Sequence, residues 1–351
     1  MGSGKKVLIC AASIPFAFGG AELLVRGLEN AIRRAGYHAD TIAIPYTWDP
    51  PEEIFESAEI WRKVMPDKSP LGKVDLVVAT KFPSYAVVHP NKVAWVLHQH
   101  RGAYELKGTI YDDFSRYPGA QSYREKVLII DREYLSECRE VFTISGRVSE
   151  RMREYCGIES KPIYHPPPFD GRYYSADYSD DVLIVGRLEP LKRVDLAVNA
   201  MRKVKNQKAV LRIVGSGFLH EPLLELAERE GVAHRVRFEG FVTDEELLSM
   251  YAACGCVVCV SFEEDYGYTV LEAFKSRRPV VVTDDCGGPL AFVKDRVNGR
   301  VVPARPLELA EAIDEILSNK VRAKQLGGAG CQMVENITWN DVIERLVEPF
   351  V

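Results

Sequence analysis

The chain has 351 residues, a formal net charge of −5, and 46% hydrophobic content. Its length suits two domains of about 150 to 180 residues, each able to bury a core. The negative balance argues against a nucleic-acid binder or a strongly basic membrane protein, no apolar run is as long as a membrane span, and no signal peptide stands out, so a cytoplasmic protein is expected, at most visiting the cytoplasmic face of a membrane.

The first module opens on an apolar strand, Lys6 to Ala12, followed by Phe18, Gly19, Gly20, Ala21 and Glu22 and by a helix bearing Leu23, Leu24, Leu28 and Ile32. The glycine pair is not the dinucleotide fingerprint, and the Gly2 to Lys6 run lacks the strand and spacing of a P-loop. Strands are predicted over 7–11, 39–44, 74–79, 93–98 and 141–145. The fourth ends in His98, Gln99, His100 and Arg101, a polar strand end of the kind that faces a crevice in an α/β sheet. Either histidine could instead cap a carbonyl, and Arg101, Tyr104 and Lys107 suit a solvated loop or an acceptor contact. Arg147, Arg151 and Arg153 read as a solvated helix face or as a contact for an anionic membrane surface. The run 161–170, with Pro166, Pro167 and Pro168, should interrupt regular structure and mark the linker.

The second module has strands predicted over 182–185, 210–214, 236–239, 256–260, 280–283 and 299–302, with helices between them, an alternation that makes the fold α/β. After the first of these come Gly186, Arg187 and, five residues on, Lys192, cations placed where an open parallel sheet binds ligands. Arginine offers a planar fork and lysine a mobile point charge, a pair suited to a diphosphate, although both could simply solvate the loop beside Glu189. After the strand 256–260, Glu264 and Glu272 bracket Gly267, and the amides of Gly267, Tyr268 and Thr269 would open a helix toward an anion. Two acceptors around an anion-binding helix start suit a nucleoside diphosphate sugar; the plainer alternative is a helix-start acid and a loop acid. The chain has eight cysteines. Cys254, Cys256 and Cys259 fall in or beside a strand whose alternation turns Cys256 and Cys259 to opposite faces, so they read as small buried hydrophobes rather than a metal cluster. The acidic pairs Asp112 and Asp113, Asp180 and Asp181, and Asp284 and Asp285 likewise suggest no metal site.

Together, the Gly19 to Glu22 loop, the Gly186 to Lys192 segment, the Glu264 and Glu272 pair, Gly287-Gly288-Pro289 and Asn298-Gly299 resemble the retaining glycosyltransferases of family four, in that family's order and over nearly the whole chain. The resemblance implies the GT-B fold: two Rossmann-like domains with parallel sheets facing a central cleft, an acceptor-side domain over 1–163, a nucleotide-sugar domain over 164–338, and a last helix within 339–351 crossing back to the first. It implies metal-independent transfer of a hexose-type sugar from a UDP or GDP donor, with no cofactor, to a glycan, lipid-linked or small-molecule hydroxyl acceptor. Arg187, Lys192, Glu264 and His98 take the catalytic positions. Gly19, Gly20, Gly186, Gly215, Val242, Gly267, Tyr268, Thr269 and Glu272 would hold the donor, with His100 and Arg101 as further sugar or acceptor contacts. The chain departs from the pattern at Arg193, where glycine is common, and at Ala291, where glutamate is common. Arg193 either adds a cation near the phosphates or points one away. A non-catalytic nucleotide-sugar-binding subunit and a GT-B epimerase are the alternatives; a dehydrogenase should show the missing dinucleotide fingerprint.

Overall fold

The computed structural model describes residues 4–16, 19–68 and 72–351; Phe18 of the glycine loop lies outside the described residues. Two compact units divide the chain, one of Met1–His165 with Ile337–Val351, the other Pro166–Asn336.

In the first unit the elements run β1 (Lys6–Ser13), α1 (Gly20–Arg34), β2 (His38–Pro45), α2 (Glu52–Lys63), β3 (Leu76–Ala79), β4 (Lys92–Val96), α3 (Ala120–Ser136), β5 (Glu140–Thr143), α4 (Gly146–Arg151) and β6 (Lys161–Pro162). All strands are parallel, in the order β2-β1-β3-β4-β5-β6. Buried from Val7 to Ala12, β1 lies between β2 and β3 with Ile9 opposite Thr41 and Val78, as a strand covered on both faces should. The helix α1 buries Leu24, Leu28, Ala31 and Ile32, one stripe at helical spacing, and carries Glu22 in its first turn and Arg33 and Arg34 in its last, which suits its dipole.

Two sequence expectations change here. Lys161 and Pro162, expected to interrupt regular structure, form β6 beside β5, with Phe142 opposite Lys161 and Thr143 opposite Pro162. As β6 is the edge of the sheet, its proline leaves no inner ladder bond unmade. Arg151 is not on a solvated or membrane-facing surface: it is buried, and its guanidinium lies 3.2 Å from Glu105 Oε1.

The second unit runs β7 (Asp181–Val185), α5 (Val194–Met201), β8 (Val210–Val214), α6 (His220–Arg229), β9 (Val236–Gly240), α7 (Asp244–Ala253), β10 (Cys256–Cys259), α8 (Tyr268–Lys275), β11 (Val280–Thr283), β12 (Gly299–Val302), α9 (Pro306–Ser318) and α10 (Lys320–Met333). Its parallel sheet has the order β12-β11-β10-β7-β8-β9. The chain steps outward from β7 to β9, then returns to lay β10 on the other side of β7, Val257 opposite Leu183. That reversal opens a crevice outside the carboxyl ends of β7 and β10, the general ligand position of such sheets. Beneath it Val182, Ile184, Val258, Val198, Met201, Ile313 and Ile316 form one core.

The chain then rejoins the first unit through α11 (Trp339–Leu346). Thr338 caps α11 by accepting from the Asp341 amide at 3.2 Å, and Val342, Ile343 and Leu346 are buried. Trp339 stacks on His165 at 5.8 Å and meets Trp95 edge-on at 6.5 Å, while the Asn91 side-chain amide donates to the Phe350 carbonyl at 2.6 Å.

Candidate functional site

The crevice of the second unit is built from three loops tied by backbone hydrogen bonds. Gly186 N–H donates to the Val214 carbonyl at 3.0 Å, Leu188 N–H to Ser216 at 2.9 Å, and Gly215 N–H to Gly240 at 2.8 Å, so the loops after β7, β8 and β9 are stitched side by side. Val242 follows that last loop, half-buried. A single tight turn, Pro190–Lys192, then presents Lys192, and Phe262 N–H donates to the Leu191 carbonyl at 2.7 Å, fixing the turn to the end of β10. The Lys192 ammonium is ion-paired with the Glu264 carboxylate, each side chain about one-quarter exposed. Burial works against the lysine charge, but Glu264 outweighs it and holds the Lys192 pKa above its usual value. Arg187 is 61% exposed and pairs with Glu189 at 2.9 Å.

Glu264 is held by its backbone. Its N–H donates to the Cys286 carbonyl at 2.8 Å, its carbonyl accepts from Gly288 N–H at 2.7 Å, and Glu263 N–H donates to Asp285 at 3.0 Å. This close approach explains the Gly287-Gly288-Pro289 run: at Gly287, with φ 77°, a Cβ would sit 2.7 Å from the Glu264 carbonyl oxygen. Gly267, with φ 100°, caps α8, and a Cβ there would meet Pro289 at 2.7 Å. Tyr268 and Thr269 are the first residues of α8, so its positive end opens beside the Lys192 and Glu264 pair.

Glu272 sits deeper than its expected place near the first turn. It is the fifth residue of α8, only 6% exposed, and accepts a 2.5 Å hydrogen bond from the Tyr251 hydroxyl. Burial pushes its carboxyl up to about 7, against the hydrogen bonds from Tyr251 and Tyr173. Sequence reasoning passed over both tyrosines. Tyr251 reads as an apolar position of α7, and nothing in its spacing links it to an acid 21 residues away. Cys254, Cys256 and Cys259 are buried free thiols, and Cys259 Sγ lies 3.6 Å from Cys286 Sγ.

In the first unit, Gly19 caps α1 and its N–H donates to Glu22 Oε2 at 3.0 Å, with Gly20 the first helical residue. Next to that helix start is a cavity of about 180 Å³, lined by Ser13, Glu22, Thr41, Thr80, Lys81 and Leu97 among others. The strand β4 stops at Val96, two residues short of its predicted end, which leaves His98 in the loop with Nδ1 2.8 Å from the Gln99 carbonyl. His100 is caged by aromatic side chains. Its Nδ1 is 2.9 Å from the Tyr46 hydroxyl, and its ring is 5.0 Å from Phe114 and 5.9 Å from Phe82. Burial, with the nearby His98 charge, pushes His100 down to about 3. Arg101 Nε contacts Glu105 Oε1 at 2.5 Å, a carboxylate it shares with Arg151.

Over residues 175–333 the chain matches the family Glycosyl transferases group 1. It is 28% identical over 96% of its length to an uncharacterized glycosyltransferase of Methanocaldococcus jannaschii, covering 95% of that protein. A D-inositol 3-phosphate glycosyltransferase of Corynebacterium diphtheriae is 30% identical over 46% of this chain, and the match spans 40% of the relative's length. Among solved structures, sucrose-phosphate synthase from Thermosynechococcus elongatus superposes with a TM-score of 0.76 at 20% identity, over 95% of this chain and 96% of that one. The Anabaena protein HepE, solved in complex with UDP-glucose, superposes with a TM-score of 0.71 at 17% identity, over 97% and 98% of the two chains. The chain therefore has the two-unit GT-B fold, with the match to Glycosyl transferases group 1 falling within its second unit.

Proposed function

We propose that this protein is a retaining, metal-independent glycosyltransferase that moves a hexose-type sugar from a nucleoside diphosphate sugar to a hydroxyl acceptor. The observation that carries the reading is the Lys192 and Glu264 ion pair at the strand-order reversal of the second sheet, beside the opening of α8. The donor's diphosphate meets Lys192, Arg187 and the first amides of α8, so charge developing on the leaving oxygen is met by groups already in position. The bond between the anomeric carbon and the diphosphate oxygen breaks, and its electron pair stays on the diphosphate. The acceptor oxygen bonds to the same face of that carbon and passes its proton to a phosphate oxygen. Glu264 accepts from sugar hydroxyls and Glu272 from the ribose, which fixes the anomeric centre without attacking it. Gly186, Gly215 and Val242 approach the nucleotide through their backbone. From the sequence resemblance, Gly19 and Gly20 are assigned to the phosphates and His98 to the donor sugar. Arg101 and His100 are committed to Glu105 and to Tyr46 within their own unit, which favours a supporting role for both.

A uridine donor is favoured by the neighbour solved with UDP-glucose, with a guanosine donor as the other arm of the test. Acceptors of the glycan, lipid-linked and small-molecule classes all fit a hydroxyl nucleophile. The test is a thermal-shift panel of UDP-, GDP-, ADP- and dTDP-sugars with NAD as control, since a ligand of the native state alone raises its melting temperature. A shift with one nucleotide sugar, lost in Arg187→Ala, supports the reading; a shift with NAD alone overturns it. With the donor known, the anomeric configuration of the product by NMR tests retention, and turnover after exhaustive chelation tests metal independence. Donor breakdown without any acceptor product would point to an epimerase or hydrolase instead.

A further inference from the structure

Arg193 holds a backbone conformation that glycine adopts more easily, with φ 46° and ψ 41°, between the Pro190–Lys192 turn and the first residue of α5. Its side chain shows why an arginine sits there. The guanidinium grips Asp285 with two bonds, Nη1 to Oδ2 at 2.7 Å and Nη2 to Oδ1 at 2.6 Å. It also donates to the Val260 carbonyl at 2.6 Å, the Thr283 hydroxyl at 2.9 Å and the Ser261 carbonyl at 3.3 Å, and lies 5.6 Å from the Phe262 ring centroid. One side chain thus joins the turn after β7 to the carboxyl ends of β10 and β11.

Its charge is spent on Asp285, whose carboxyl is held below its usual range because the Arg193 bonds and charge outweigh burial. The cation is therefore committed to Asp285 and ties the Pro190–Lys192 turn to the loop that carries Glu264. Asp285 acts at both ends of this arrangement. Its carboxylate takes the guanidinium while its carbonyl accepts Glu263 N–H at 3.0 Å, one residue before the partner of Lys192. Phe262 N–H to the Leu191 carbonyl closes the ring from the other side.

We propose that Arg193 is a positioning residue: with Asp285 it clamps the Lys192 turn to the Glu264 loop, so that the ammonium and the carboxylate stand in register before a donor arrives. The proposal rests on the donor-site reading for its catalytic consequence, and on the hydrogen bonds alone for the clamp itself. A planar five-donor fork is needed, because one ammonium cannot hold two carboxylate oxygens and three further acceptors at these angles.

The test compares wild type with Arg193→Gly, Arg193→Lys, Asp285→Asn and the double variant Arg193→Gly/Asp285→Asn. Glycine suits the backbone, so Arg193→Gly is expected to fold and to keep its melting temperature within a few degrees. Amide exchange at Phe262 and Glu264 should quicken about tenfold in Arg193→Gly, as a clamp lost locally would read. With the donor found by the thermal-shift panel, kcat should fall about 10- to 100-fold while the donor KM moves less than about threefold, since misplacing Lys192 costs the transition state more than ground-state binding. Arg193→Lys should rescue neither readout, and the double variant should be no worse than either single one. Wild-type kcat and unchanged exchange in Arg193→Gly would overturn the proposal, as would additive losses in the double variant. If the wild-type protein binds no nucleotide sugar, the proposed function fails separately. Exchange at Phe262 and Glu264 then decides the clamp: faster exchange in Arg193→Gly supports it and unchanged exchange overturns it.

Discussion

Each unit reverses its strand order once, between β1 and β3 in the first and between β7 and β10 in the second, yet the two crevices are furnished differently. In the second, opposite charges are paired and held in place: Lys192 with Glu264, Arg193 with Asp285, Arg187 with Glu189. In the first, the polar strand end is largely turned inward, with His100 neutral inside Tyr46, Phe82 and Phe114 and Arg101 spent on Glu105. A ligand carrying two phosphates gains most where cations are already fixed, because no reorganisation is then needed. Under the proposed function, the difference gives the larger share of the diphosphate charge to the second unit and leaves the first to the Gly19 and Gly20 loop, to shape and to hydroxyl contacts.

The largest effect should come from breaking the charged pair. Lys192→Ala and Glu264→Ala are each expected to lower kcat about 100-fold or more, the scale of losing a preorganised electrostatic contact, with circular dichroism unchanged. His98→Ala should cost less, about tenfold, as the loss of one sugar contact. Near-normal transfer by both folded pair variants would sink the site assignment, and an equal loss in His98→Ala would erase the contrast between the crevices.

How much of this was legible follows from how local each signal is. The parallel strands could be read because their residues are apolar on both faces, as in Val280 to Thr283, and the glycine turns because Gly267 and Gly287 take conformations that few residues accept. Glu264 and Lys192 stood out as charges beside such turns. The rest depends on partners distant in sequence. Tyr251 reaches Glu272 from another helix, Arg193 finds Asp285 across 92 residues, and His100 finds Tyr46 across 54. The sequence singled out Glu272, Arg193 and His100 but could not name the partners that decide what each of them does. The strand β6 was hidden for a different reason: two residues, one of them proline, form an edge that only the neighbouring β5 can define.

Buried titratable groups sharpen the contrast through pH. The Glu272 carboxyl is raised from 4.5 to about 7. The folded state therefore holds its proton more tightly than the unfolded chain, so this group's stabilisation is full below pH 4.5 and is lost as pH rises through about 7. His100 runs the other way. With its value lowered from 6.5 to about 3, its contribution is full above pH 6.5 and is lost as pH falls toward 3. Asp131, buried with Tyr85, Tyr104 and Gln99 and raised to about 6, adds a slope of the same sign as Glu272, so the readout is the difference between wild type and variant. Against wild type, Glu272→Gln should flatten the fall in melting temperature between pH 5 and 8 by about several degrees, and His100→Phe the fall between pH 6.5 and 4 by about as much. Parallel slopes in the two variants would contradict the assigned burial of one group or the other.

The smallest effect tests whether the aromatic cage is scaffold. The Tyr46 hydroxyl lies 2.9 Å from His100 Nδ1, and Phe82 packs edge-on to the Tyr46 ring at 6.0 Å. Tyr46→Phe keeps the ring and removes one hydrogen bond, leaving a largely enclosed imidazole nitrogen without that partner, which costs about 1 to 2 kcal/mol. For a chain of this size that is a fall of about 2 to 5 °C in the melting temperature of the first unit, with donor affinity in the second unit unchanged. A loss of donor affinity without a loss of stability would mean that His100 and Tyr46 touch the ligand themselves. The imidazole would then have to leave its cage on binding, and His100 and Tyr46 would join His98 as donor contacts rather than scaffold.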